Sequence, residues 1–394
     1  MKQDFPREEY DLRCERAREL MAKRGLDALF VTGDQSAAMN YRYLSGHLPR
    51  DYQANFNRPH ILILPREGDP ALIVVFFSEK GARNTSWVKD IRSYAQPFTY
   101  EIIKDTIKDL GLSAAKFGAE LGEDQRLKMP LVEFQKLRSS LPMAEFVDAS
   151  DIFWKLRMIK SPRELEYIRK AHDINGRALD RMYNTISEGT TEIEAIKKLV
   201  TYMVEEGAYR PPHSQLIINS GPEWGIGFWT PRDKPLRKGD IVFIDSGCVV
   251  NGYWGEFSRM GVVGSPSERQ RKNHETVRTI VRDTISETLR PGVKASDIVR
   301  FYIDLHKQLG LDYSAYKAYV EYPYMHLAHG IGLCSSEPPY IGIYNEMPLE
   351  PGMFLSTEAY LHSGEVYGTE EGVLITEDGC EIFSEPDKGL YLIK

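Results

Sequence analysis

Five residues in this 394-residue chain have types and settings that can do chemistry together. Asp245 closes the apolar run IVFID, and Glu256 follows eleven positions later on the returning arm of KGDIVFIDSGCVVNGYWGEFSR. Asn251 and Gly252 read as a tight turn between two β-rich runs, which makes this segment a hairpin carrying two acids. His329 opens the glycine-flanked HGIGL, Glu358 ends the strand-like MFLSTE, and Glu370 lies in TEEGVLIT, where a β pattern resumes. Taken singly, each has a bland reading, since an Asp after an apolar strand is commonly a turn or cap residue. Taken together they do not, because four carboxylates on strand-like segments cannot all be buried as free anions unless paired or metal-bound. One or two divalent ions resolve the conflict. An oxygen-rich shell with one imidazole suits Mn, Fe, Co or Zn, and bridging carboxylates allow two ions about 3.5–4 Å apart. The chemistry implied is activation of a water molecule.

Other residues stand close to these motifs. Trp224, Phe228 and Trp229, with Tyr253 and Trp254, form an aromatic pocket for a cationic or apolar substrate, or else pack the hairpin against helices. His213 and His326 serve as proton donors or as satisfied structural imidazoles. His362, four residues after Glu358, is placed to line a pocket. Glu337 and Glu371 flank the motifs and either orient ligands or are solvated charges.

The elements that must position these residues follow from pattern. Residues 7–24 repeat apolar positions at helical spacing and Gly25 follows as a C-cap. Strands at 28–32, 61–64 and 71–77 and helices at 101–110 and 129–141 give the alternation of a sheet covered by helices. Ser161, Pro162 and Glu164 form a helix start with cap, first-turn proline and capping-box acid. A boundary near Ile152 therefore divides the chain into domains 1–152 and 153–394. Helices at 267–289 and 295–309 precede a last stretch of about eighty residues of short strands broken by Gly and Pro.

Composition limits the rest. Hydrophobic residues make up 42% and charged residues 27%, values of a globular chain. With 57 acidic against 50 basic residues the net charge is -7, which argues against a nucleic-acid footprint. No apolar run of about 18 residues is present, and the acidic start MKQDFPREEY is unlike a secretory signal, so a cytoplasmic protein without membrane partners is expected. Cys14, Cys248, Cys334 and Cys380 lack C-x-x-C spacing, which leaves oxygen and imidazole to hold any metal.

These motifs together resemble the pita-bread family of methionine aminopeptidases, Xaa-Pro aminopeptidases, prolidases and creatinases, over essentially the whole chain in its two-domain form. The resemblance implies an α/β (α+β) protein: a creatinase-like amino-terminal domain with a mixed sheet and helices, then a pita-bread catalytic domain. KGDIVFIDSGCVVNGYWGEFSR is similar to the family's metal-binding hairpin, with Asp245 and Glu256 at its two acid positions. HGIGL at His329, EPGMFLSTEAY at Glu358 and GTEEGVLITEDG at Glu370 resemble its remaining ligand motifs, and RMIKSPRELEYIRKA its interdomain segment. Three departures stand out. Glu256 replaces the usual Asp and moves its carboxylate by about 1.5 Å. Ser336 and Phe228 stand where the peptidases carry two proton-handling histidines.

Two branches share some of these departures. NRPHILIL resembles the creatinase strand whose Arg, here Arg58, clamps the substrate carboxylate of the neighbouring subunit. Phe228, Cys334 and Tyr324 resemble the dimethylsulfoniopropionate lyase branch, although Ser335 replaces its base. The resemblance implies a metal-dependent hydrolase, a homodimer, that cleaves a C–N bond in a dipeptide or small carboxylate-bearing substrate and is not an efficient ordinary prolidase. Asp245, Glu256, His329, Glu358 and Glu370 hold metal, and Glu358, Tyr324 and His329 act in catalysis. Arg58, Phe228, Trp229, Trp254 and His362 bind substrate. A lyase acting on a small zwitterion and a non-catalytic family member are the alternatives.

Overall fold

The computed structural model describes residues 4–34, 38–49, 58–122, 126–208, 216–222, 230–312, 326–384 and 387–394. The chain folds as two compact units, 1–157 and 158–394. The division falls at the end of a helix, Ser150–Met158, that also contains Ile152.

The first unit runs α1 (Arg7–Lys23), β1 (Ala28–Gly33), α2 (Met39–Ser45), β2 (His60–Pro65), β3 (Ala71–Val75), α3 (Glu79–Thr85), β4 (Asp90–Tyr94), α4 (Glu101–Asp109), β5 (Lys116–Ala119), α5 (Leu131–Ser140), β6 (Glu145–Asp148) and α6 (Ser150–Met158). Its six strands form one mixed sheet in the order β4-β3-β2-β1-β5-β6. β1 pairs antiparallel with β2 and parallel with β5, and every residue of β1 and β2 is buried. Such continuous apolar burial is what a sheet covered on both faces requires. Phe30, Ile63, Ile73, Phe117 and Phe146 share one core cluster with Leu137 of α5 and Ile103 of α4. The run expected as a strand through Phe77 stops at Val75 and turns into a short 3-10 segment, Phe76–Ser78, whose two phenylalanines are exposed.

The second unit opens with α7 (Pro162–Tyr183). Ser161 accepts from Glu164 N, the Glu164 carboxylate accepts from Ser161 N, and Pro162 occupies the first turn, as the sequence specifies. A second capping box, Thr191 with Glu194, starts α8 (Glu192–Glu205). There follow β7 (Leu216–Ser220), β8 (Ile241–Val250), β9 (Tyr253–Val263), α9 (Glu268–Thr288), α10 (Ala295–Gln308), β10 (Ala328–Gly330), β11 (Glu337–Tyr340), β12 (Phe354–His362), β13 (Val366–Ile375), β14 (Cys380–Ile382) and β15 (Tyr391–Ile393). Two sheets result, β15-β9-β8-β7 and β11-β10-β12-β13-β14. Asn251 at φ 48° and Gly252 at φ 86° make the two-residue turn joining β8 to β9. α7 buries Ala171, Ile174, Ala178, Leu179 and Met182 at three- and four-residue spacing, in one cluster with Val242, Ile244 and Phe257 of the hairpin. The helix can lie this close because Gly255 and Gly372 face it: a Cβ at either would fall 2.3 Å from His172 N or 2.2 Å from His172 Nε2.

Candidate metal centre

Strand register brings the five candidate residues of the second unit onto facing surfaces. On the β8–β9 ladder Asp245 stands opposite Ser258 and Glu256 opposite Gly247, so the two acids sit two rungs apart on one face. On the β12–β13 ladder Glu358 stands directly opposite Glu370, a like-charged pair that opposes pairing unless something neutralises it. β10 sets His329 opposite Ser356, two residues before Glu358, which puts the imidazole on that same face. Glu358 lies in mid-strand and not at a strand end as its motif suggested, because β12 continues to His362.

Glu256, His329 and Glu370 each present a ligand atom within 4.8 Å of the others. Asp245, Glu256, His329 and Glu370 are buried and Glu358 half-buried. His329 Nδ1 lies 3.2 Å from the Gly330 carbonyl. A carbonyl only accepts, so Nδ1 carries the proton and Nε2 presents a lone pair. That lone pair is 3.7 Å from Glu256 Oε1, and burial, reinforced by His326, lowers the His329 pKa to about 4 and keeps the ring neutral.

Burial first, and the neighbouring carboxyls second, push the four carboxylates above the ordinary carboxyl range. Burial, then the Glu358 charge, raises Asp245 to about 7. Burial, then Glu370, raises Glu358 to about 8, against the opposing hydrogen bond from Tyr360. Glu370 is likewise raised to about 8 by burial and Asp245, while Glu256 is pushed well above its usual range by burial and then by Glu370, Asp245 and Glu358. Asp245 Oδ1, both Glu256 oxygens and Glu370 Oε2 have no hydrogen-bond partner among the described residues. Orphaned buried acceptors with one imidazole lone pair are the donor set that a borderline divalent cation takes.

Residues not singled out by the motifs complete the surroundings. The Tyr360 hydroxyl donates to Glu358 Oε2 at 2.8 Å, and Ser356 donates to Glu370 Oε1. Both lie at two-residue spacing from Glu358, so strand periodicity alone would have found them. Arg259 is buried on the opposite face of β9. It donates to the Glu370 carbonyl at 2.9 Å and to Glu371 Oε2 at 3.0 Å. No local sequence signal marks that pair.

Tyr253 packs: it is buried, stacks on Tyr167 at 5.9 Å and donates to Glu164 Oε1 at 2.9 Å. Trp254 is half-buried on the same strand face as Glu256. His326 stacks on Tyr340 with ring centroids 4.8 Å apart and meets His329 edge-on at 5.3 Å. Glu337 and Glu371 are not solvated charges; both are buried and paired, with Lys160 and Arg259 respectively. Ser336 is exposed. Arg58 belongs to the first unit, just before β2, with its guanidinium 4.9 Å from the Phe77 ring centroid. His213, Trp224, Phe228, Trp229 and Tyr324 lie outside the described residues, as does the side chain of His362.

Comparison with known proteins agrees with this geometry. Residues 166–378 match the model of metallopeptidase family M24, and residues 13–159 that of the creatinase/prolidase N-terminal domain. The chain is 29% identical to the Xaa-Pro dipeptidase of Pyrococcus furiosus over 96% of its own length and 99% of that protein's. Dipeptidase PepE from Mycobacterium ulcerans superimposes with a TM-score of 0.81 at 25% identity, covering 99% of each chain. An Xaa-Pro dipeptidase from Bacillus anthracis superimposes with a TM-score of 0.82 over 98% of this chain and all of its own; at 21% identity that likeness speaks for the fold alone.

Proposed function

We propose, from the premise that the chain belongs to metallopeptidase family M24 and is a two-domain pita-bread metallohydrolase, that it cleaves the C–N bond of a short, carboxylate-bearing substrate of the Xaa-Pro dipeptide class. The observation that carries the reading is the buried cluster of Glu256, His329 and Glu370, whose ligand atoms lie within 4.8 Å of one another while carboxylate oxygens in and beside it have no hydrogen-bond donor among the described residues. Asp245 and Glu358 complete the set of five ligands for one or two ions of Mn, Fe, Co or Zn. When bound, such ions polarise the scissile carbonyl and acidify a water molecule.

The chain's own residues then divide the remaining work. In the hydrolysis, water's oxygen bonds to the carbonyl carbon, the C–N bond breaks, and a water proton passes to the leaving nitrogen. We assign Glu358 to carry that proton, a role its partial exposure and its hydrogen bond from Tyr360 support. Tyr324 is assigned to donate a hydrogen bond to the reacting carbonyl. Arg58, delivered by a second subunit of a homodimer, clamps the substrate carboxylate as a charge-assisted pair. Phe228, Trp229, Trp254 and His362 are assigned to substrate binding.

Serine at 336 and phenylalanine at 228 remove two imidazole donors, each worth a factor of about 100 or more when it stabilises an oxyanion or leaving amine. Ordinary Xaa-Pro dipeptides are therefore expected to turn over slowly. The test is to reconstitute metal-stripped protein with Mn or Co and supply Ala-Pro, creatine and dimethylsulfoniopropionate in parallel. Slow release of proline, or release of urea, supports C–N hydrolysis. Acrylate as the sole product would replace it with the lyase reading. Proline release at an ordinary prolidase rate would show that the missing imidazoles do not matter. The lyase reading draws only on Phe228 and Tyr324, outside the described residues, and on Cys334.

A further inference from the structure

Lys160 and Glu337 form an ion pair with Nζ and Oε1 3.0 Å apart and both side chains only 1% exposed, although 177 positions separate them. A buried pair of this kind is a poor stabiliser, since desolvating two charges offsets most of their attraction. Its location suggests another use. Glu337 opens β11 opposite Gly330, whereas His329, one residue earlier on β10, stands opposite Tyr340; the ladder is bulged between them, at the metal-facing histidine. The second Glu337 oxygen accepts from Cys334 N at 3.3 Å, so the carboxylate holds the turn that leaves His329. Gly332 of that turn lies directly on the pair: a Cβ there would meet Glu337 Oε1 at 2.4 Å and Lys160 Cε at 3.2 Å. The Gly332 carbonyl in turn accepts from Trp254 N at 2.9 Å, two residues before Glu256. Lys160 is anchored at its other end, its backbone N donating to the Gly352 carbonyl at 2.9 Å just ahead of β12, the strand of Glu358.

We propose that the Lys160–Glu337 pair is a positioning device that fixes the bulge after His329 and thereby aims His329 Nε2 at the space shared with Glu256 and Glu370. This rests on the reading of that cluster as a metal centre. The Glu337 charge acts on His329 directly and its carboxylate also holds the 330–334 turn through Cys334 N, and partners of this kind commonly change metal affinity by about 10–100-fold.

The experiment is a cobalt titration of the metal-stripped full chain, read by calorimetry and by the visible absorption of the bound ion, alongside thermal melting. The informative variant is K160M/E337L, which replaces the ion pair by an apolar one of similar size. A merely structural pair predicts that this variant melts and binds cobalt like the parent. The positioning role predicts that it melts normally or higher, yet binds cobalt about 10–100-fold more weakly with an altered absorption band. Should the double variant fail to fold, E337Q is read by cobalt affinity and absorption band alone, since it leaves Lys160 buried without its counter-charge and is expected to melt lower. Cobalt affinity within twofold of the parent and an unchanged band, in whichever folded variant is measured, overturn the proposal. H329A separates the two levels of the argument: if it binds cobalt as the parent does, the metal centre itself is wrong and this inference falls with it.

Discussion

Glu120 in the first unit and Glu370 in the second are both buried glutamates, and their surroundings differ in kind. Glu120 accepts from Thr32 N at 3.0 Å on one oxygen and from Asn40 Nδ2 at 2.7 Å on the other, and these bonds moderate the burial that raises it to about 7. Glu370 has Ser356 on one oxygen and no partner among the described residues on the other, and its neighbours are further carboxylates. A buried acid ringed by donors is complete as folded. A buried acid ringed by acids is complete only with a cation. The first pattern builds a core and the second reserves a place, which is why the chemistry is assigned to the second unit.

The sharpest way to break this contrast is to remove one acid from each side. E370A should lower kcat/KM on any hydrolysed substrate by about 10³-fold or more, as expected when several kcal/mol of charge stabilisation is lost. E120A should leave kcat/KM of the folded enzyme within a few-fold. Comparable losses from the two variants would erase the distinction.

The next effect is on stability, and its sign follows from proton uptake. Asp245, Glu358 and Glu370 titrate in the folded chain near 7, 8 and 8, whereas unfolded carboxyls titrate at roughly 4. Between those values the native state binds more protons than the unfolded one, so metal-free stability falls as pH rises from about 4 to about 8. Melting in chelator at pH 7, 7.75 and 8.5, above the range in which the buried histidines contribute, should show a steady decline, and saturating Mn should flatten it. A chelated protein that melts at one temperature across this range contradicts the mutual repulsion inferred for the cluster.

Much of this arrangement is legible in the sequence. The Ser161-Pro162-Glu164 start, the Asn251-Gly252 turn and the five acid and imidazole positions are encoded within short windows, where capping and two-residue periodicity act. Signals fail where tertiary contacts decide. Phe76 and Phe77 continue an apolar run but leave the sheet at Val75 for an exposed 3-10 turn, so hydrophobicity alone overextended β3. Thr191 and Glu194 are a local capping box like that of Ser161, legible in the run TTEIE. Glu337 and Glu371 read as surface charges because their partners, Lys160 and Arg259, are 177 and 112 positions away. Distance along the chain hides a pair that burial would otherwise betray.

Acid supplies a third, smaller probe, centred on the first unit. His47 and His60 are buried with ring centroids 5.7 Å apart; burial lowers them to about 4 and about 3, and His47 further lowers His60. Unfolded histidines titrate near 6.5, so here the unfolded state binds the extra protons and stability falls as pH drops from about 6.5 towards 4, opposite in sign to the carboxylate cluster. His60 Nδ1 has no partner among the described residues, which makes H60L a mild replacement. The variant should gain on the order of 1 kcal/mol relative to the parent at pH 5.5 compared with pH 7.5, read from urea midpoints. Parallel pH dependence in the two proteins would mean that His60 is already charged in the folded state.

The smallest expected effect is the most direct comparison of the two glutamates, because it asks for opposite signs from the same substitution. In E120Q an amide NH₂ must replace one acceptor oxygen that now faces either Thr32 N or Asn40 Nδ2, leaving donor against donor at a cost of about 1–2 kcal/mol. In E370Q the amide removes one charge from a crowded set, and its oxygen can still accept from Ser356. Metal-free E370Q at pH 8 should therefore be more stable than the parent by about 1 kcal/mol, while E120Q is less stable under the same conditions. Excess Mn should reverse the order for E370Q alone, since the parent gains binding energy that the amide forfeits. If both variants shift in one direction without metal, the two buried acids are of one kind, and the case for a reserved cation site reduces to geometry.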